Sequence, residues 1–181
     1  NYPPAAFYSA MNFLGTHDTP RILTLLGTDH TPESKADRAD YRLLPWERSR
    51  AAEKLRLASL VLFTFPGSPM IYYGDEAGME GFEDPLNRGT YPWGHEDRDL
   101  LAWFSRLGAL RNGYPVLQTG ALRWLCTAGP LLAFAREDGQ VRLVTAVNAS
   151  DVPCSLELLW AADSVQDLLS GSSFAPDAGR L

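Results

Sequence analysis

Cysteine is scarce: Cys126 and Cys154 are the two in 181 residues, and they carry no CxxC spacing. A disulfide framework is therefore excluded, leaving either two small buried apolar side chains or one bridge between neighbouring strands. Basic charge is also short, with 16 Lys and Arg against 22 Asp and Glu and a net charge of −6. Nucleic acid is not an expected partner, because phosphate binding needs a net or clustered basic surface. The acidic residues are scattered and form no tail. No apolar run approaches the ~18 residues that would cross a bilayer, so no membrane partner is expected. The most apolar window, Leu57 to Pro66, is short and follows Arg48, Arg50, Lys54 and Arg56. The opening Asn1-Tyr2-Pro3-Pro4 has no initiator Met and no basic-then-apolar leader. No signal peptide is expected, and the abrupt start reads as a piece of a longer chain.

What is present is ordinary globular material: 45% apolar, 11% aromatic and 21% charged residues. That supports a substantial core in one domain, or in a piece of a domain with a small companion. Ala5 to Phe13 reads as a short helix and then a strand leading into Gly15-Thr16-His17-Asp18. Thr28 to Asp40 is polar without apolar periodicity and reads as a loop. From Glu47 the pattern is helical, with Ala51, Leu55, Ala58 and Leu62 recurring at helical spacing and Leu57, Leu60 and Val61 widening the stripe, until Pro66 closes it. Met70-Ile71-Tyr72-Tyr73, stopped by Gly74, reads as a buried strand. A long polar loop spans Asp75 to Glu96. A helix from about Asp97 to Asn112 follows, with Leu100, Trp103, Phe104, Leu107 and Leu110 on one face, acids first, Arg111 last and Gly113 beyond. Alternating helix and strand with long loops after the strands is the pattern of a parallel α/β unit.

Beyond Tyr114-Pro115 the pattern becomes all-β. Leu122–Cys126, Leu131–Arg136, Val141–Asn148 and Cys154–Leu159 read as short strands, with Asp138-Gly139 as a hairpin turn. Trp124 and Trp160 offer either a sugar-binding surface or core packing; the core is the expectation, with the module packing against the α/β part.

Two loops after strand-like runs hold the chemistry. His17 and Asp18 stand side by side at a strand end, where parallel α/β folds bind ligands; the same dipeptide also suits a turn with a capping Asp. The second loop combines Asp75, Glu76, Glu80, Asp84, Arg88, Tyr91 and Trp93. Carboxylates, a guanidinium and aromatic faces suit a sugar, whose hydroxyls take polar partners and whose C–H faces stack on rings; a solvated acidic loop is the alternative.

Gly15-Thr16-His17-Asp18-Thr19 resembles the fourth signature region of the α-amylase family, glycoside hydrolase family 13. Pro66-Gly67-Ser68-Pro69-Met70-Ile71-Tyr72-Tyr73-Gly74-Asp75-Glu76 resembles its last barrel strand. Gly78-Met79-Glu80-Gly81 with Asp84-Pro85-Leu86-Asn87-Arg88 is similar to the neopullulanase, cyclomaltodextrinase and maltogenic amylase branch. The likeness covers residues 1–113. It implies an α/β plus all-β chain: the last two βα units of a (β/α)8 TIM barrel (1–113), then a small antiparallel C-terminal β-sandwich domain (114–181).

The resemblance also implies roles. Asp18 matches the transition-state stabiliser and His17 an imidazole on the same sugar, contacts that strengthen as the ring becomes oxocarbenium-like. Asp84 and Arg88 match a clamp on sugars on the non-reducing side of the cut. Tyr73, Gly74, Asp75 and Glu76 match structural positions, with the two acids hydrogen-bonding backbone. Gly89 stands where the branch commonly has a second Arg, a departure that bears on the outer subsites. A retaining glycosidase needs a nucleophilic carboxylate and a carboxylic acid about 5–5.5 Å apart. The family carries these on earlier strands in Arg-x-Asp and Gly-Glu signatures, neither of which is expected in this chain.

A complete barrel takes about 250 residues. The expectation is therefore a C-terminal fragment of a retaining α-glucan hydrolase, inactive alone, whose partners are an α-glucan and the rest of its own barrel. Unpaired strand edges and an exposed apolar face predict self-association of the isolated chain. No cofactor or metal ligand is assigned here; the resemblance allows calcium in the full-length enzyme and leans toward a cytoplasmic location. The alternatives are a non-catalytic amylase-like binding or accessory module, and a family transglycosylase. His17, Asp18, Asp84 and Arg88 favour the enzyme, since a purely structural descendant has no need of a sugar-gripping set.

Overall fold

The computed structural model describes residues 2–158, 160 and 163–176. They belong to two units, Asn1–Arg111 and Asn112–Leu181.

In the first unit the Pro pair opens α1 (Pro4–Tyr8), and the apolar run after it forms β1 (Met11–Phe13). The chain then passes through α2 (Ile22–Gly27), α3 (Lys35–Asp40) and α4 (Pro45–Thr64) before β2 (Ser68–Met70). β2 lies parallel to β1 in the register Met11–Ser68, Asn12–Pro69 and Phe13–Met70. A helical crossover of this kind is what parallel pairing requires. Close approach sets the register: the Ser68 N–H donates to Ala10 O at 2.7 Å, and Asn12 Nδ2 donates to Pro66 O at 2.7 Å. Gly67 makes this fit, since at φ +109° a Cβ would lie 2.5 Å from Ala10 O.

Two expectations need correction here. Thr28–Asp40 is not all loop: Ser34 Oγ accepts the Asp37 N–H at 3.0 Å and starts α3, none of whose residues is buried. A helix without a buried face leaves no apolar period to read. The second strand occupies Ser68–Met70 rather than Met70–Tyr73, and Ile71 and Tyr73 are exposed. Past Met70 the chain turns away, and the Tyr73 carbonyl accepts a hydrogen bond from the Arg21 guanidinium.

α4 begins at Pro45, which suits a first helical position, and Glu47 Oε2 accepts the Leu44 N–H at 2.8 Å. It ends where Phe65, forced extended by Pro66, adopts ψ 154°. Its buried stripe carries Ala51, Leu55, Ser59, Leu60, Leu62 and Phe63, so Ser59 takes the place expected for Ala58. Ser59 is accommodated because its hydroxyl donates to Leu55 O at 2.7 Å and accepts from Trp103 Nε1 at 3.0 Å.

Trp103 belongs to α5 (Arg98–Gly113), which follows the long loop and a short 3-10 turn, Leu86–Arg88. Asp97 caps α5, its Oδ1 accepting the Leu100 N–H at 3.1 Å. Leu100, Phe104 and Leu107 are buried, with Phe104 edge-on to Phe63 at 6.1 Å. Arg111 does more than complement its own helix dipole. Its guanidinium donates to Phe63 O at 2.6 Å, to Phe65 O at 3.3 Å and to Gly67 O, closing the C-terminal end of α4.

The second unit opens with α6 (Val116–Thr119), which the sequence reading missed, and continues into the antiparallel meander β3 (Ala121–Ala128), β4 (Leu131–Glu137) and β5 (Arg142–Asn148). Asp138 Oδ1 accepts the N–H groups of Gln140 and Val141, making the expected hairpin turn. Ala133–Arg136 of the central strand are buried. Arg136 tolerates this because it donates to Leu117 O at 2.7 Å and to Gly120 O at 2.9 and 3.2 Å.

A separate pair, β6 (Val165–Gln166) and β7 (Ser173–Phe174), is antiparallel. Cys154–Leu159 forms no strand within the described residues, which exclude Leu159. Leu156 and Leu158 are buried either side of exposed Glu157, which makes a single β-bridge, so the alternation is reported by burial while the pairing stays at one residue. The cysteines are free, Cys126 half-buried and Cys154 exposed, so neither reading of them holds. Trp124 is half exposed against the edge of Phe134, and Trp160 is half-buried with the Arg142 guanidinium 4.1 Å from its ring centre. Among the described residues no helix is long and apolar enough to cross a membrane.

Candidate functional site

The C-terminal ends of β1 and β2 carry the two loops singled out above. After β1, buried Gly15 leads into a tight turn. Thr19 Oγ1 accepts the Thr16 N–H at 3.0 Å, Thr16 Oγ1 accepts the Asp18 N–H at 3.2 Å, and the Thr19 N–H donates to Thr16 O at 3.3 Å. With the backbone thus occupied, the side chains of His17 and Asp18 face solvent, 64% and 74% exposed. His17 Nε2 lies 3.3 Å from Asp18 Oδ1.

The second loop brings Arg88 to the same carboxylate. Its Nη2 is 3.9 Å from Asp18 Oδ1, while its Nε is 2.6 Å from Asp84 Oδ1. The four predicted residues therefore form one continuous group: imidazole, carboxylate, guanidinium, carboxylate. Exposed ion pairs of this kind contribute only about 0–1 kcal/mol to stability. Fold stability is thus a poor reason for assembling them, whereas alternating donors and acceptors at a strand end suit a polyhydroxylated ligand.

Beneath the exposed group lies a buried layer that sequence reasoning missed. The Arg21 side chain is fully buried; its Nη1 donates to Tyr73 O and lies 3.2 Å from Asp75 Oδ1. Its guanidinium carbon sits 4.3 Å from the Tyr72 ring centre and 4.7 Å from that of Tyr73. The Arg21 N–H donates to Gly81 O at 2.8 Å, and the Gly81 N–H donates to Thr24 Oγ1 at 2.9 Å. Asn87 is also fully buried, and its Nδ2 donates to His17 O at 2.8 Å and Thr19 O at 2.7 Å. Neither residue carries a sequence signal of burial, since Arg and Asn are mostly exposed types.

Of the two acids expected to bind backbone, Glu76 does so, accepting the Gly74 N–H at 2.9 Å, whereas Asp75 pairs with Arg21. Burial pushes the Asp75 carboxyl up to about 6, outweighing the hydrogen bond and charge of Arg21. Between pH 4 and 6 the unfolded chain then releases this proton before the folded chain does, so stability falls as pH rises through that window and levels off above it. Asp75→Asn is expected to flatten that slope, which amounts to about 3 kcal/mol at about 1.36 kcal/mol per pH unit. Urea unfolding at pH 4, 5, 6 and 7 measures it; a wild-type slope retained in Asp75→Asn would rule the assignment out.

The catalytic signatures expected to be missing need one correction. The bare triplet Arg-x-Asp occurs at Arg38-Ala39-Asp40 and at Arg136-Glu137-Asp138, while Gly-Glu does not occur. The first triplet lies in α3 and the second runs out of β4, so neither stands at the ends of β1 and β2. Among the described residues no three His, Cys, Asp or Glu side chains are grouped to hold a metal ion.

A parallel βα unit with its polar group at the C-terminal strand ends defines a parallel α/β protein whose ligand site is built from βα loops. The comparisons specify which. Residues 5–102 match the family described as alpha amylase, catalytic domain, and the chain belongs to that family. It is 45% identical over 135 residues to an amylopullulanase of Thermoanaerobacter thermohydrosulfuricus, covering 75% of this chain and 9% of the relative. It is 32% identical to a cyclomaltodextrinase of Geobacillus thermopakistaniensis, covering 100% of this chain and 28% of the relative. Its structure resembles the α-amylase of Geobacillus thermoleovorans complexed with acarbose, with a TM-score of 0.76 at 26% identity over 96% of this chain and 36% of that one. The fold is that of part of a TIM-barrel protein with a sheet domain, and the chain spans under a third of the length of those two relatives.

Proposed function

We propose that this chain is the C-terminal part of a retaining α-glucan hydrolase acting on α-1,4, and in some substrates α-1,6, glucosidic bonds of starch, maltodextrins, pullulan or cyclodextrins. Residues 1–113 supply the last two βα units of its barrel and 114–181 its C-terminal β-sandwich domain. The observation that carries this reading is Asp18, exposed at a strand end and flanked by His17 at 3.3 Å and Arg88 at 3.9 Å. The names of the relatives, amylopullulanase and cyclomaltodextrinase, support an α-glucan as substrate.

In this reading Asp18 is the transition-state stabiliser. As the glucosyl ring flattens and gains positive charge, a carboxylate that grips its hydroxyls binds it more tightly than the ground state. His17 binds the same sugar, and Asp84 with Arg88 holds a neighbouring sugar through paired donors and acceptors. The nucleophile and the general acid come from strands outside this chain, and calcium, where the enzyme uses it, is held there as well. A transglycosylase uses the same four residues, whereas a non-catalytic accessory module has no use for a carboxylate placed at the reacting ring.

The test compares the 181-residue chain with the longer protein that contains it. The chain alone is expected to release no reducing sugar from starch, pullulan or cyclodextrin, and the longer protein to do so. Exposed Met11 and Phe13 on β1 make self-association of the isolated chain the expected behaviour in that assay. Hydrolysis by the chain alone, abolished in Asp18→Asn, would overturn the division of the active site proposed here.

A further inference from the structure

We infer that Asn87 is a positioning residue that holds the carboxylate of Asp18 in place for the reaction, by pinning the backbone on both sides of it. The inference rests on the role proposed above for Asp18. Asn87 Nδ2 uses its two N–H donors on the carbonyls of His17 at 2.8 Å and Thr19 at 2.7 Å, the residues immediately before and after Asp18. The amide orientation follows from chemistry, since the opposite flip would set a carbonyl oxygen against two carbonyl oxygens.

Several features separate this contact from ordinary packing. Asn87 is fully buried, and its Oδ1 is buried without a partner among the described residues. Both of its amide N–H groups are spent on the turn, so the hydration they give up on burial is replaced by two hydrogen bonds to the backbone around Asp18. That turn is otherwise held by bonds within itself, because His17, Asp18 and Thr19 are exposed and its other hydrogen bonds run among Thr16, Asp18 and Thr19.

Asn87 also lies in the 3-10 turn Leu86–Arg88, beside the Arg88 that bridges Asp84 and Asp18. The loop bearing it is anchored a second time through Gly81, whose carbonyl accepts the Arg21 N–H and whose N–H meets Thr24 Oγ1. Glycine at 81 also lets this loop fold closely onto its own 3-10 turn, since a Cβ there would stand 2.3 Å from Leu86 O and 3.2 Å from the Asn87 Cα. Asn87 therefore couples the Asp84/Arg88 clamp to the Asp18 carboxylate, setting the distance between the two halves of the site.

The test is a double-mutant cycle in the intact, longer enzyme, read as kcat and KM on maltooligosaccharides, with thermal melting as a control. Asn87→Ala is expected to lower kcat about 10- to 100-fold with KM changed less than threefold, because displacing a reacting group by about 1 Å costs up to about 100-fold. Asn87→Ser, which keeps one short donor, is expected to fall between Ala and wild type, and it carries the same comparison should the Ala variant not fold. In the Asp18→Asn background the Asn87 substitutions are expected to add less than threefold, since there is no carboxylate left to position. Asn87 effects that multiply undiminished onto an impaired Asp18→Asn, or that appear as a rise in KM, would overturn this inference alone. Wild-type kcat in Asp18→Asn would overturn the role of Asp18 and this inference with it.

Discussion

Asp18→Asn in the intact enzyme is expected to lower kcat about 1,000-fold while KM stays within threefold of wild type. The substitution keeps the volume and the hydrogen-bonding reach of the side chain, so the ground-state sugar loses little. What disappears is a negative charge at the point where positive charge develops, and preorganised electrostatic groups of this kind are worth about 10²–10³-fold or more in kcat. A 1,000-fold loss corresponds to about 4 kcal/mol of transition-state stabilisation. Steady-state kinetics on a defined maltooligosaccharide decides it. A kcat within fivefold of wild type would remove Asp18 from the reaction and leave the His17–Asp18–Arg88–Asp84 group as a binding surface.

Arg21→Gln is expected to have the largest effect on stability, a loss of about 3–5 kcal/mol at neutral pH, because it strands Asp75 as a buried carboxylate without its cation. The total stability of a domain is only about 5–15 kcal/mol, so the first unit would be close to unfolding. Two further readouts tie the loss to this pair. Without the Arg21 charge, the Asp75 carboxyl moves up further from about 6, so the variant should lose less at pH 5, where that carboxyl is protonated, than at pH 8. The double substitution Arg21→Met/Asp75→Leu should recover most of the loss, since replacing both members of a buried pair by apolar groups is often neutral. A loss below 1 kcal/mol, equal at both pH values, would mean that Arg21 matters through its contacts with Tyr72 and Tyr73 alone.

The elements that were legible in the sequence are those whose side chains report burial. α4 and α5 show apolar residues at helical spacing, and both appear within two residues of their expected ends. β3, β4 and β5 alternate or run apolar between turn residues, and the Asp138-Gly139 turn joins two of them. α3 was not legible because it buries nothing, and Cys154–Leu159 misled because alternation records burial, whereas a strand needs successive paired residues and the described part of this segment has a single bridge at Glu157. Met70–Tyr73 misled for a related reason. Its apolar and aromatic character suits a strand, but pairing with β1 ends at Met70, and Arg21 takes the carbonyl of Tyr73.

The proposed site divides along the same line. His17, Asp18, Asp84 and Arg88 were legible as candidates because they stand in polar segments after strand-like runs, and because their motifs resemble those of a family to which the chain belongs. Arg21, Asn87 and Asp75 hold the site from beneath, and nothing local marks them. Sequence alone determined which groups are available at the two strand ends and the kind of fold that presents them. Tertiary structure decided that residues 66 or more positions apart share one site, because it took the parallel pairing of β1 with β2 to set the loops side by side and the buried Asn87 amide to join them.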